Sequence, residues 1–295
     1  CRQKFIRFPS GRQVKRFNPI RAIMVKKHTH PAIPQSEIPL ELPEGKKAYF
    51  LSDVHLGAPV LSDNQIREDR LVKWLETIRT DCGILFLLGD IFDFWFEYKR
   101  VVPKGYIRFL AKICEFTDAG IPVHFFTGNH DIWAFDYLQK ECGIRLHPHN
   151  EIFSIRNKRF LIGHGDALNP SDKGYLFLYR IFHNSFLQHC FRWIHPDIGI
   201  WLARKWSSHS RLENGRIEAD SFRGEDQEEI VRFCKQTDRQ QYFDYYIFGH
   251  RHLPLDISIS KKSRYINTGD WITYYSYAVF DGNQTELHSR KDLSV

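Results

Sequence analysis

Five short apolar runs in this chain each stop at Asp, Asn or His, and nothing else in the sequence constrains the fold so tightly. Ala48–Ser52 leads into Asp53-Val54-His55, and Ile84–Leu88 into Gly89-Asp90. Pro122–Thr127 leads into Gly128-Asn129-His130-Asp131, and Arg159–Ile162 into Gly163-His164. Tyr245–Phe248 leads into Gly249-His250-Arg251-His252. Each run has the length and apolar character of a strand buried on both faces. Open α/β sheets gather polar groups in the crevice beyond the carboxyl ends of their strands, so these residues are expected to converge there. The glycines before Asp90, Asn129, His164 and His250 are expected to let the backbone turn sharply at each strand end.

The segments between the runs support this architecture. Leu61–Arg79 carries Ile66, Leu71, Trp74, Leu75 and Ile78 at helical spacing, with Asp63 placed as N-cap. Helices are also expected over Lys104–Ala119, stopping at Gly120, and up to Cys142-Gly143. Ile152–Ile155 and Arg159–Ile162 flank Asn157-Lys158 as a hairpin. Further strands are expected at Leu255–Ile259, Arg264–Asn267 and Tyr277–Phe280. Residues 31–45, with four prolines, read as an extended lead-in, and 46–295 as one layered α/β domain. Residues 172–240 read as a helical insertion ending in a charged helix at Glu225–Lys235.

The strand-end residues sum to a chemistry. Asp53, His55, Asp90, Asn129, His164, His250 and His252 offer carboxylate, amide and imidazole donors without thiolate, a set suited to Mn, Fe or Zn. Seven donors exceed one tetrahedral ion and suit two ions sharing a carboxylate. A single Asp-x-His or Gly-Asp arises often by chance or as a turn; five such pieces in order, each after an apolar run, do not.

The series resembles the calcineurin-like metallophosphoesterases over about residues 46–280. The resemblance implies a four-layer αββα sandwich with two divalent metal ions, Mn²⁺ expected, at the strand ends. It implies Asp53, His55 and His252 on one ion, Asn129, His164 and His250 on the other, and Asp90 bridging. Two such cations activate water and clamp phosphoryl oxygens. His130 is implied to face the substrate phosphate, stabilising transition-state charge or protonating the leaving oxygen. Asp131 either orients His130 or caps the following helix.

Substrate selection falls to the insertion. Between Lys173 and Arg211 stand six basic residues and one acid, Asp197, interleaved with nine aromatics including Trp193, Trp201 and Trp206. Such a surface suits a lipid–water interface or nucleic acid, and about half of the aromatics are expected simply to pack the insertion on the body. His164-Gly165-Asp166-Ala167-Leu168, Asp172-Lys173-Gly174-Tyr175 and Gly89-Asp90-Ile91-Phe92-Asp93-Phe94-Trp95 are together similar to the UDP-2,3-diacylglucosamine hydrolases. That similarity implies cleavage of UDP-2,3-diacylglucosamine to UMP and 2,3-diacylglucosamine 1-phosphate, in lipid A synthesis. It implies a cytoplasmic enzyme lying peripherally on the inner membrane of a Gram-negative bacterium. It implies that the insertion is a lid sheltering the acyl chains, and that Asn129, Asp172, Tyr175 and His250 meet the substrate. Those enzymes carry Arg after the motif Asn, where this chain has His130; Ser207, Ser208 and Arg211 are loose counterparts of their Ser- and Lys-bearing stretch. The rival readings are a phosphohydrolase of the same fold with another substrate, a non-catalytic scaffold, and a nuclease.

The overall charge is no argument for the nuclease. Lys and Arg number 42 against 35 Asp and Glu, but residues 1–23 hold seven bases and no acid, so the remaining body is neutral. That basic stretch, followed by the single methionine Met24, is read as upstream sequence rather than a nucleic-acid arm, and no nucleic-acid partner is expected. Six scattered cysteines without a CxxC pair fit a reducing cytosol, and no run of 18 apolar residues spans a membrane. Nothing in the sequence assigns an oligomeric state.

Overall fold

Every residue of Cys82–Leu88 is buried, as only a strand covered on both faces can be. The computed structural model describes residues 33–289 apart from 59–60, 62–63, 170, 204, 206–221 and 223; residues 1–23, Met24, Asp63, Trp206, Ser207, Ser208 and Arg211 lie outside them. In chain order the elements are β1 (Glu37–Leu40), β2 (Lys47–Leu51), α1 (Asn64–Ile78), β3 (Cys82–Leu88), α2 (Ile107–Asp118), β4 (Val123–Phe126), α3 (Tyr137–Cys142) and β5 (Arg145–His147). There follow β6 (Glu151–Ile155), β7 (Lys158–Ile162), α4 (Lys173–Phe182), α5 (Ser185–Phe191) and α6 (196–203). The chain then forms α7 (Glu229–Asp238), β8 (Tyr245–Phe248), β9 (Pro254–Ser258), β10 (Arg264–Thr268), β11 (Ser276–Phe280) and β12 (Thr285–Ser289).

Two six-stranded sheets result, in the orders β1-β6-β7-β8-β10-β9 and β12-β11-β2-β3-β4-β5. Side chains from both, among them Phe50, Phe86, Phe126, Phe160, Ile247 and Phe280, fill one core between them. The outer face of the second sheet packs Leu51, Leu85 and Phe125 against α1, α2 and α3. The outer face of the first packs Tyr246 and Phe248 against Ile230, Val231 and Cys234 of α7. The architecture is the expected αββα sandwich.

Local chemistry moved several expected boundaries. The lead-in is extended, and its Glu37–Leu40 pairs in parallel with β6 as an edge strand, the one place where Pro39 is tolerated. The hairpin turns at Arg156-Asn157, both in left-handed φ (50° and 61°), leaving Lys158 in β7 opposite Ile155. The charged helix starts at Glu229 rather than Glu225, because Glu228 stays extended and its carboxylate grips Arg251 through both oxygens (2.8 and 3.0 Å). On α1 it is Arg67, not Ile66, that is fully buried; its guanidinium donates to the His55 carbonyl at 3.0 Å. Short β5 and β12 were not anticipated.

The insertion is helical and anchored. Asp172 caps α4 by accepting from the Tyr175 amide, and Asn184 caps α5. Trp133 of the body donates its indole N–H to the Phe182 carbonyl (3.0 Å), and Phe191 packs on Phe96 and Trp133. Arg192 lies over the Phe135 ring. In contrast, Phe177, Phe186, Trp193, Ile198 and Trp201 remain exposed, Trp193 at 83%.

Between β4 and β5 the imidazoles of His124 and His147 share a hydrogen bond of 2.9 Å inside an aromatic stack with Phe86 and Phe126. Burial pushes them down from 6.5 to about 3 and about 4. The unfolded chain therefore takes up protons below pH 6.5 that the folded chain refuses, so their contribution is complete above that pH and is lost as pH falls toward about 4. Replacing both by Phe is expected to flatten the fall of the melting temperature between pH 7 and 4.5, measured by thermal melts across that range; an unchanged slope contradicts it.

Candidate metal centre

Three neighbouring parallel strands of one sheet, β2, β3 and β4, and three of the other, β7, β8 and β10, end side by side. Their loops are laced together by backbone bonds: Asp53 N to Gly89 O at 3.1 Å, His55 N to Asp90 O at 3.0 Å, and Gly249 N to His164 O at 2.8 Å. The sharp turn falls mostly on the polar residues themselves. Asp53, His55, Asp90, His250 and His252 all hold left-handed φ, between 48° and 70°. Of the four motif glycines, Gly89, Gly128, Gly163 and Gly249, only Gly89 has positive φ, at 85°. Gly128 and Gly249 are needed for space instead: a Cβ there would stand 2.2 Å from Asp90 Oδ1 and 2.4 Å from Ser52 Oγ.

The seven expected donors converge. Asp53 Oδ2 accepts from the His250 amide (2.9 Å) and from Ser52 Oγ, while Oδ1, buried and without a hydrogen-bond partner among the described residues, lies 3.3 Å from His252 Nε2. His55 Nε2 is 3.3 Å from His252 Nε2 and 3.7 Å from Asp90 Oδ2. Asp90 divides its oxygens likewise: Oδ1 accepts from the His130 amide (2.9 Å), and Oδ2 sits between His55 and His164, 3.5 Å from His164 Nε2. His164 Nε2 is also 3.3 Å from Asn129 Oδ1 and 3.3 Å from His250 Nδ1. Asp90 thus stands between an Asp53, His55, His252 group and an Asn129, His164, His250 group.

The buried rings and carboxylates shift one another in both directions. Burial pushes the imidazoles of His55 and His250 down to about 3, leaving neutral rings. Burial also resists ionisation of Asp90, but His164 and His130 outweigh it and hold the carboxyl well below its usual range. His164 Nδ1 donates to the Leu88 carbonyl at 2.8 Å, which turns Nε2 inward; burial opposes a charge on this ring, but Asp90 and Asp53 outweigh it and hold the imidazole well above its usual range. Two imidazole nitrogens facing each other across 3.3 Å, beside an orphaned carboxylate oxygen, form a donor set that a divalent ion completes.

Two expected roles are placed elsewhere. Asp131 neither touches His130 nor caps a helix: its oxygens accept from the amides of Gly128 (2.7 Å) and of Ile91 and Phe92 (2.9 and 3.4 Å), tying the β4 loop to the β3 loop. Burial and nearby Asp90 raise it to about 7. His130 is met instead by Asp93, whose carbonyl accepts from Nδ1 at 2.8 Å and whose carboxylate also faces His55 Nδ1 at 3.4 Å. Asp93 stands three residues after Asp90, a spacing that could have been read as a second loop carboxylate. Asp172 and Tyr175 both border a cavity of about 300 Å³ with mixed polar and apolar walls beside His250 and Arg251, with the Tyr175 hydroxyl donating to Asp166 at 3.1 Å. On the other flank, His130 and Asn129 border an apolar cavity of about 280 Å³ walled by Trp133, Leu178, Phe182 and Phe191.

The crowding at Gly128 yields a test. Gly128→Ala must displace Asp90, and Mn²⁺ affinity is expected to fall on the order of tenfold or more, with circular dichroism unchanged; equilibrium metal titration reads it, and parent affinity refutes it.

Known proteins resemble this chain in sequence. The family model for calcineurin-like phosphoesterases matches residues 46–254. A UDP-2,3-diacylglucosamine hydrolase of Porphyromonas gingivalis is 40% identical over 258 residues, 84% of this chain and 98% of its own. One of Proteus mirabilis is 28% identical, over 81% of this chain and 96% of its own. Among solved structures, a dimetal phosphatase from Danio rerio aligns at TM-score 0.43 and 14% identity, over 84% of this chain and 96% of that one. The family-model match over most of the chain, and a relative 40% identical and covered almost end to end, show that this chain belongs to the calcineurin-like phosphoesterase family.

Proposed function

We propose that this protein hydrolyses the pyrophosphate of UDP-2,3-diacylglucosamine, giving UMP and 2,3-diacylglucosamine 1-phosphate, with two divalent ions of which Mn²⁺ is the expected one. The observation that carries the reading is adjacency: the seven-donor centre opens through His130 and Asn129 directly onto an apolar cavity walled by the insertion. A lipid-linked pyrophosphate needs both. The relatives named for this activity support it.

Asp53, His55 and His252 would hold one ion, Asn129, His164 and His250 the other, with Asp90 shared. Bound there, the ions supply Lewis acidity for water and phosphoryl oxygens. His130 gives its Nδ1 proton to the Asp93 carbonyl, so Nε2 is the atom left to hold or release a proton at a substrate oxygen. Asn129, His250, Asp172 and Tyr175 border the space for the sugar-phosphate and nucleotide. The apolar cavity excludes water from an acyl chain.

The exposed face of Phe177, Phe186, Trp193 and Trp201 supports docking on an anionic bilayer from the cytoplasmic side, with Lys205 beside Trp201. Among the described residues no helix is long and apolar enough to cross a membrane.

UMP release from the diacylated UDP-sugar is expected with Mn²⁺, lost on chelation, and abolished by Asp90→Ala. His130→Ala is expected to lower kcat by roughly 10²–10⁴-fold. Fast turnover of a simple phosphomonoester with the lipid untouched refutes the substrate. Separately, Phe186→Ser with Trp193→Ser is expected to weaken sedimentation with anionic lipid vesicles at least about tenfold, since each buried aromatic is worth roughly 1.5–3 kcal/mol; parent-level vesicle binding refutes the docking face.

A further inference from the structure

Six strands, not five, end at this centre. β10 runs parallel to β8, and the residues after it also reach the site. The Trp271 amide donates to the Asp53 carbonyl at 3.1 Å, and Thr268 Oγ1 lies 2.7 Å from Ser52 Oγ. Between them stands Asp270, only 4% exposed. Its Oδ1 accepts from three successive amides, those of Ile272, Thr273 and Tyr274, at 3.2, 2.8 and 2.9 Å. Three bonds to one oxygen stop the carboxylate from rotating. The other oxygen, Oδ2, faces His252 Nδ1 at 3.7 Å.

We propose that Asp270 is a positioning residue for His252, holding the proton on Nδ1 so that Nε2 turns its lone pair toward Asp53 and His55. The inference rests on the metal-centre reading above. His252 needs such a partner more than His55 or His164 does. Its side chain is 30% exposed, where water competes for Nδ1, against 1% for His55 and His164. Those two already have theirs: His55 Nδ1 faces Asp93 at 3.4 Å, and His164 Nδ1 bonds the Leu88 carbonyl at 2.8 Å. Asp270 completes the same arrangement on the exposed edge. A ligating imidazole whose second nitrogen is fixed by a carboxylate is oriented, locked in one tautomer and made more basic.

Asp270→Asn separates this role from a structural one. It keeps an oxygen for the three amides and turns an NH₂ group toward His252, reversing the polarity at that ring alone. Mn²⁺ titration of the full chain, with free ion read by electron paramagnetic resonance, is expected to show two bound ions in the parent. In the variant, one ion is expected to bind as before and the other roughly 10–100-fold more weakly. Raising Mn²⁺ is expected to restore kcat, with KM for the lipid substrate unchanged. In a His252→Ala background the same substitution is expected to change neither affinity. Parent affinities in Asp270→Asn, or an equal loss with and without His252, overturn the inference. A second measurement needs no Asp270 variant: long-range ¹H–¹⁵N spectra of the Zn²⁺-loaded parent, assigned against His252→Ala, are expected to show His252 protonated on Nδ1, and protonation on Nε2 overturns it. A parent chain that binds no Mn²⁺ defeats the metal-centre reading itself, whereas normal parent binding with an unaffected Asn variant defeats only the role of Asp270.

Discussion

The bond from the His250 amide to Asp53 Oδ2 crosses the seam between the two sheets, and the arrangement of the site depends on it. Asp53 follows β2 of one sheet and His250 follows β8 of the other, so one oxygen sets the spacing of the two halves. His164 makes a second crossing from β7 to the carbonyl closing β3. With these fixed, the free oxygens of Asp53 and Asp90 and four imidazoles have nowhere to point but at one another. A buried cluster of that kind is costly without a counter-ion or hydrogen bonds, which is why the geometry and the cation chemistry cannot be separated.

The same seam stores strain. Five of the seven donor residues hold left-handed φ without being glycine. Each such residue costs on the order of 1 kcal/mol or more. The offset comes from the sandwich: strands buried on both faces cannot shift register, and Arg67, Asp131 and Asp270 bind the loop backbones from behind. The insertion follows a different logic. Its inner aromatics, Phe182 and Phe191, pin it to Trp133 and wall the apolar cavity, while Phe177, Phe186, Trp193 and Trp201 are exposed.

Much of this was legible in the chain. The strands that carry the donors are continuous apolar runs, and their ends fell within a residue or two of expectation. What escaped were elements too short or too irregular to have a period: β1 with its proline, three-residue β5, and terminal β12. Ile66 and Arg67 changed places on α1 because burial there serves the carbonyls of Val54 and His55 rather than an apolar face. Asp131 was adjacent to His130 in sequence and therefore the natural partner, but successive residues in a tight loop point apart. Asp93 reaches His130 from the β3 loop, because β3 and β4 are neighbours in the sheet.

By itself the sequence determined which residues are candidate donors, that they close apolar strands, and hence that they gather at one edge of a layered α/β body. Only the tertiary structure decided how each is held: which oxygen of Asp53 and Asp90 is spent on an amide, which nitrogen of His164 faces inward, and that Asp93 and Asp270 stand behind His55 and His252. The reason is physical. Periodicity along a chain reports burial, whereas the orientation of an imidazole is set by a partner from another strand, and that partner's distance in sequence carries no information until the sheets are paired.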